Sequence, residues 1–212
     1  MTPTSEDSRA GTTVDGSRAS SVPFDPQPTL VGDLLEMRPL RPDDFDALFR
    51  VASDPLIWEQ HPDRDRWQET VFRSFFRDAL DSGGAFVAVE RASSKVIGSS
   101  RYHGYDAARG VVEIGWTFLA RAYWGGRYNG EMKRLMLRHA FRWVDRVVFV
   151  IGPDNLRSQR AVEKLGAVRS GTTTDAKGRE RVVYELTAER YDAAGARNLS
   201  PAQPSPSDGL SR

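Results

Sequence analysis

Apolar and polar residues alternate over "LLEMRPL" (34–40), which predicts a β-strand. The next stretch, "RPDDFDALFRVASD", opens with Pro and acids as helix starts prefer and sets Phe45, Leu48, Phe49 and Ala52 on one face, which predicts a helix. "RWQETVFRSFFRDALDSGG" repeats the helical spacing through Trp67, Val71, Phe75 and Leu80 and stops at Gly83 and Gly84. Three strand patterns follow, "AFVAVE", "KVIGSSRYH" and "VVEIGWTFL", separated by the turn-like "RASS" and "DAARG", so an antiparallel meander is expected. From residue 127 the spacing is helical again. Met132, Leu135, Met136, His139, Ala140 and Trp143 fall on one side, with Lys133, Arg134, Arg138 and Arg142 on the other. "RVVFVIG" reads as a buried strand, "NLRSQRAVEKLG" as a helix from Asn to Gly, and "VVYELT" as a closing strand after a turn at "DAKG". The order is β, α, α, three β, α, β, α, β, β, a mixed α/β fold.

Composition narrows the function classes. The chain has 212 residues, enough for one domain with a sizeable core. Its 30 Lys and Arg balance 29 Asp and Glu, so charge gives no reason to expect nucleic acid or an anionic membrane as partner. There is no cysteine, which removes disulfides, thiolate metal sites and a cysteine nucleophile. His61, His103 and His139 are never in a ligand spacing, so no metal is expected. The apolar runs are strand-sized and the start lacks a signal-peptide pattern, so a cytoplasmic protein is the expectation. Residues 1–28 and 193–212 are rich in Ser, Thr, Pro, Gly and Ala and read as flexible tails around a domain at 29–192.

The stretch "RAYWGGRYNGEMKRLML" (121–137) places a glycine loop between a strand and a helix that leads to a further strand parallel to the first. Unpaired amides at such a helix start face outward with the helix dipole behind them, and glycine lets an anion come close. Gly125 and Gly126, with Arg127 beside them, fit a pyrophosphate; they fit a tight turn with Trp124 packed as core equally well. The dinucleotide spacing G-x-G-x-x-G and the Walker spacing are both absent.

The succession "EIGWTFLARAYWGGRYNGEMKRLMLRHAF", "VFVIGPDNLRSQRAVEKLGAVRSG" and "VVYELT" resembles the GNAT acyltransferase superfamily over about residues 30–191. Within it, the branch that includes ribosomal-protein amino-terminal acetyltransferases is the most similar. The family writes N-x-x-S and then E-K-x-G, and this chain has Asn155, Ser158, Glu163, Lys164 and Gly166. The branch usually reads W-G-[KR]-G-Y-[AG] at the pyrophosphate loop; here Arg127 stands in the glycine place and Asn129 in the small one. The resemblance implies a central, mostly antiparallel sheet with a parallel β-α-β unit for the cofactor and flanking helices. It implies acetyl transfer from acetyl-CoA to an amine, either a small molecule or a protein N-terminus, with no metal. A monomer and a homodimer both remain open.

The resemblance also assigns residues. Trp124, Gly125, Gly126, Arg127, Tyr128, Asn129 and Gly130 would form the pyrophosphate loop. The backbone at Phe118 and Leu119 would hold the pantetheine arm where that strand parts from its neighbour. Glu113 matches the acid of many relatives and would deprotonate the ammonium or position a water; by alternation it shares a face with Gly115 and Thr117. A structural ion pair between Glu113 and Arg101 on the preceding strand is the other reading. Many relatives protonate the leaving thiolate with a Tyr at the position of Val162. Here Ser158 is the substitute and Asn155 would fix cofactor or a water, unless Asn155 merely caps the helix. Trp58, His61 and Arg101 are the acceptor-side candidates, with packing as the alternative for Trp58 and His61; His103 and His139 read as structural.

Overall fold

The computed structural model describes residues 23–199, with side chains to residue 194. Eight strands form one sheet: β1 (Leu30–Val31), β2 (Leu35–Pro39), β3 (Ala85–Glu90), β4 (Val96–Asp106), β5 (Val111–Leu119), β6 (Arg146–Ile151), β7 (Val168–Thr174) and β8 (Glu180–Thr187). Their spatial order is β1-β2-β3-β4-β5-β6-β8-β7. Short turns join β3, β4 and β5, which forces antiparallel pairing, whereas β5 reaches β6 through α3 (Arg127–Ala140) and pairs with it in parallel. All other neighbours are antiparallel. The expected mixed sheet, with its meander and single parallel unit, is the one observed.

Both faces of the sheet are covered, which is why "AFVAV" (85–89) is apolar throughout. Ala85 and Val87 meet α1 (Phe45–Ala52) and α2 (Glu69–Asp81) through Leu48, Ala52, Phe72, Phe75, Phe76 and Ala79. Phe86 and Ala88 face the opposite cluster, where Met132, Met136, Leu137 and Ala140 of α3 pack with Val112, Ile114, Val147 and Phe149. α4 (Leu156–Glu163) adds Val162 to that cluster, and α5 (Ala188–Leu199) stacks Tyr191 on Phe141 with centroids 5.8 Å apart.

Four details differ from the sequence reading. The buried stripe of α2 is Phe72, Phe75, Phe76 and Ala79, while Trp67 precedes the helix and is 41% exposed. Lys133 is buried instead of lying on the solvent side of α3. The packed chain begins before residue 29, because Phe24 inserts among Tyr102, Tyr105, His139 and Trp143 and His139 Nε2 lies 2.8 Å from the Asp25 carbonyl oxygen. At the other end α5 continues to Leu199, past residue 192. The remaining parts of both expected tails lie outside the described residues.

One buried carboxylate fixes the first hairpin to α3. Glu131 accepts from the backbone N–H groups of Asp33, Leu34 and Leu35 at 2.8, 2.8 and 2.9 Å. Glu131→Ala would leave three donors without their charged acceptor, so a loss of about 3 kcal/mol is expected. Urea unfolding should show the midpoint falling at unchanged slope. A loss under about 1 kcal/mol would mean that water replaces the carboxylate.

Candidate active site

β5 and β6 are paired only from Val111 to Glu113 against Arg146 to Val148, although both strands run on. Beyond Glu113 they part, and the β6 side of β5 becomes an open edge. A bulge lies in the same stretch. Ser99 pairs with Phe118 and Arg101 with Gly115, so Trp116 and Thr117 together face Ser100, and Trp116 takes a positive φ of 51°. The extra residue reverses the alternation. Glu113 and Gly115 remain on the α2 face, but Thr117 turns to α3, so the predicted grouping of Glu113, Gly115 and Thr117 fails at its last member. Ala120 N–H donates to Ile97 of β4, and alternation then directs the Leu119 N–H to the open side. The side chains of Phe118 and Leu119 are buried in the two cores, so only their backbone is available.

The loop after β5 delivers α3 to the mouth of this fork. Gly125 and Gly126 have φ of 94° and 131°, and an added Cβ at either would meet nothing within 4 Å. They are glycines for their backbone conformation, which L side chains rarely adopt, and not for lack of room. Gly126 is the N-cap of α3 and has no side chain to cap it. Gly130 N–H donates to Gly126 O at 2.8 Å, which leaves the amides of Arg127, Tyr128 and Asn129 as the outward-facing first turn. The Tyr128 side chain points elsewhere: with Tyr123 it donates to Glu90 of β3, at 2.6 and 2.9 Å, and so anchors the loop. Trp124 Nε1 donates to Leu119 O at 2.9 Å, and the Arg157 guanidinium of α4 stacks 4.0 Å above the Trp124 ring. Arg157 also donates to Ile57 O, so the β5–α3 loop, α4 and the α1–α2 loop are tied together. No sequence motif pointed to Arg157.

Glu113 is half-buried on the α2 face, and burial raises its pKa from 4.5 to about 7 although Arg101 opposes the shift. No ion pair joins the two among the described residues, so the structural-pair reading of Glu113 is not what the geometry contains. Arg101 is 5% exposed, packed on Trp116 at 4.7 Å and Phe75 at 5.8 Å. Burial lowers its pKa to about 10, which leaves it charged at neutral pH. Lys133 reaches the fork from the α3 face. Its Nζ donates to Thr117 Oγ1 at 2.5 Å, and Thr117 and Ser100 hydroxyls lie 2.7 Å apart. The spacing of Lys133 to Leu137, Ala140 and Val144, all buried, is the signal that places it inward.

The other candidates fall into structural positions. Asn155 caps α4, accepting from Ser158 N–H at 3.1 Å. Val162 is buried in the core and offers no proton. Trp58 is 2% exposed, donates to Ala52 O and packs on Phe118 at 5.1 Å. His61 accepts from Asp63 N–H, and burial with the nearby Arg66 charge drives its pKa to about 3, so it is neutral. It lines a cavity of about 300 Å³ between the α1–α2 loop, the start of α4 and the β7–β8 hairpin. Asp63 ties the α1–α2 loop to the β7–β8 hairpin, pairing with Arg66, Arg179 and Lys177 at 2.8, 2.8 and 3.0 Å, which holds its carboxyl far below the usual range. His139 is structural, as expected, and His103 is exposed against Trp116. No group of acids and histidines among the described residues is arranged to hold a metal ion, and no described helix is long and apolar enough to cross a membrane.

The fold recurs in known proteins. The chain is 24% identical over 130 residues to the uncharacterized N-acetyltransferase YnaD of Bacillus subtilis (strain 168), covering 60% of this chain and 75% of that protein. A GCN5-related N-acetyltransferase from Brucella melitensis superposes with a TM-score of 0.71 at 21% identity, over 82% of this chain and 86% of that one. The Mycobacterium smegmatis RimJ in complex with CoA-disulfide superposes with a TM-score of 0.59 at 21% identity, over 79% and 95% of the two chains. Residues 35–168 match the model of the acetyltransferase (GNAT) domain. A forked β5–β6 pair with an uncapped helix start at its mouth thus sits within the matched segment, and the chain belongs to the GNAT acetyltransferase family.

Proposed function

We propose that the protein moves an acetyl group from acetyl-CoA to a primary amine. The observation that carries this reading is the open edge of β5 beside the uncapped start of α3. The amides of Arg127, Tyr128 and Asn129, together with the Arg127 guanidinium, suit a pyrophosphate, and the exposed edge at Leu119 suits the amide groups of a pantetheine arm. The two glycines leave the approach clear, so the residues present fit the group. RimJ, with its bound CoA-disulfide, supports the same choice of donor.

Acetyl-CoA supplies an activated thioester; the protein's part is to place an amine against it and remove a proton. Glu113, raised to about 7, is ionised in a useful fraction near neutral pH and still basic enough to accept a proton from an ammonium. The amine nitrogen forms the new bond to the acetyl carbon, the carbon–sulfur bond breaks, and the released thiolate takes a proton from solvent or from Ser158. Backbone N–H groups at the bulge oppose the developing negative charge on the carbonyl oxygen.

Thermal unfolding with acetyl-CoA and with CoA tests the donor site. A ligand at 100 times its Kd adds about 2.7 kcal/mol. For a chain of this size that is a midpoint rise of roughly 5–10 °C. The absence of a rise up to millimolar ligand would overturn the reading. A rise without thiol release over a broad amine panel would instead make the protein an acyl-CoA sensor of the same fold.

A further inference from the structure

A buried charge on the α2 face has no ion-pair partner among the described residues. Arg101 Nε and Nη2 are both buried and find no hydrogen-bond partner among the described residues. These two atoms lie on one edge of the guanidinium, the fork that a carboxylate engages with two parallel bonds. The other charges acting on Arg101 are Asp78 of α2, Glu113 of β5 and Arg66 of the α1–α2 loop, and none is hydrogen-bonded to it. Buried guanidinium donors without partners are rare in folded proteins and mark places where a partner belongs.

The surroundings say what kind of partner. Arg101 pairs across the strands with Gly115. The Glu113 side chain leans over that glycine: a Cβ built there would lie 3.2 Å from Glu113 Oε1, so the missing side chain makes room for the carboxylate. A carboxylate from β5 thus stands near an unpaired guanidinium from β4, and Gly115 directly precedes the bulge of β5. A molecule seated there meets a negative group on one side and a positive fork on the other. We propose that the acceptor is a primary amine carrying a carboxylate, its anion held by Arg101 Nε and Nη2 and its ammonium beside Glu113. The assignment rests on the acetyl-transfer reading for its chemistry. The ammonium gives its proton to Glu113, the nitrogen bonds to the acetyl carbon, and the sulfur leaves with the electron pair of the broken bond.

A neutral amide oxygen does not serve Arg101 equally, because it leaves the buried positive charge uncompensated. The test compares glycine, aspartate, glutamate and phenylalanine with their α-amides. In the wild-type protein the carboxylate forms should lead in kcat/KM by about 100-fold or more. Aspartic acid α-amide, whose one carboxylate is on the side chain, tells whether the anion is the α-carboxylate or a side-chain one. Arg101→Met should remove the preference while the midpoint rise with CoA persists, and Arg101→Lys should keep only part of it. Equal rates for acids and amides in the wild-type protein would overturn the proposal without using any variant, as would a preference that survives in Arg101→Met. Calorimetric titration of the same amino acids into the CoA-saturated protein separates the two readings. Binding of the carboxylate forms without acetylation would sustain the anion site and sink acetyl transfer. Acetylation of amides and acids alike would do the reverse, and failure of the carboxylate forms to bind at all would overturn the site.

Discussion

Glu113→Gln is expected to lower kcat by about 100-fold or more while leaving the affinity for acetyl-CoA nearly unchanged. The reason is positional. Glu113 is the last residue of β5 still paired to β6, so its side chain stands where the fork begins, on the face away from α3. It accepts no hydrogen bond among the described residues, and burial has raised its pKa to about 7. A Gln keeps the shape and loses the proton acceptor. In the wild-type protein kcat/KM should rise with pH through about 7 as Glu113 ionises and then level off; in Glu113→Gln that limb should disappear. A purely structural Glu113 would lose stability on substitution and keep its pH profile. Unchanged kinetics would remove it from the reaction.

Much of this arrangement was legible in the chain, for reasons that also mark the limits. Strand and helix periodicities are set by local geometry, so the order of elements from β2 to β8 and the crossover through α3 follow from spacing alone, while the two-residue β1 and the closing α5 do not. Gly125 and Gly126 announce a loop because few other residues adopt their φ angles. Trp116 adopts φ of 51° without being a glycine, and nothing in "VVEIGWTFL" foretells the bulge that turns Thr117 away from Glu113. Arg101 is a candidate from the sequence, but only the packing of Trp116 and Phe75 makes it a buried cation. The inward Lys133 was recoverable from its spacing to Leu137 and Ala140. Its charge points to the solvent side of α3, since a lysine is seldom found fully enclosed.

That lysine yields the second large effect. Lys133→Met should make the protein more stable at pH 7, by about 1–4 kcal/mol. Lys133 is enclosed by α3, β5 and β6, with Nζ 5.9 Å from the Phe149 ring centroid and bonded to Thr117, and burial alone lowers its pKa from 10.5 to about 7. The displacement corresponds to roughly 4–5 kcal/mol of preference against the charged form, part of which the two hydroxyl contacts offset. The sign with pH is fixed. Below about 7 the lysine is protonated in both folded and unfolded chains, and the full cost applies. Between about 7 and 10.5 only the unfolded chain keeps the proton, so wild-type stability rises with pH through this window. The advantage of Lys133→Met should therefore be largest at and below pH 7 and fade toward pH 10, as urea unfolding at several pH values would show. Methionine matches the length of the stem and leaves Ser100 and Thr117 bonded to each other at 2.7 Å, so no orphaned hydroxyl confounds the comparison. A costly cation retained under the bulge is expected to hold Thr117, and with it the open edge of β5, in place. The variant should then be more stable and slower in acetyl transfer, with the larger change in kcat. If Lys133→Met is less stable than the wild type at pH 7, the ammonium is contributing more through its hydroxyl contacts than its burial costs.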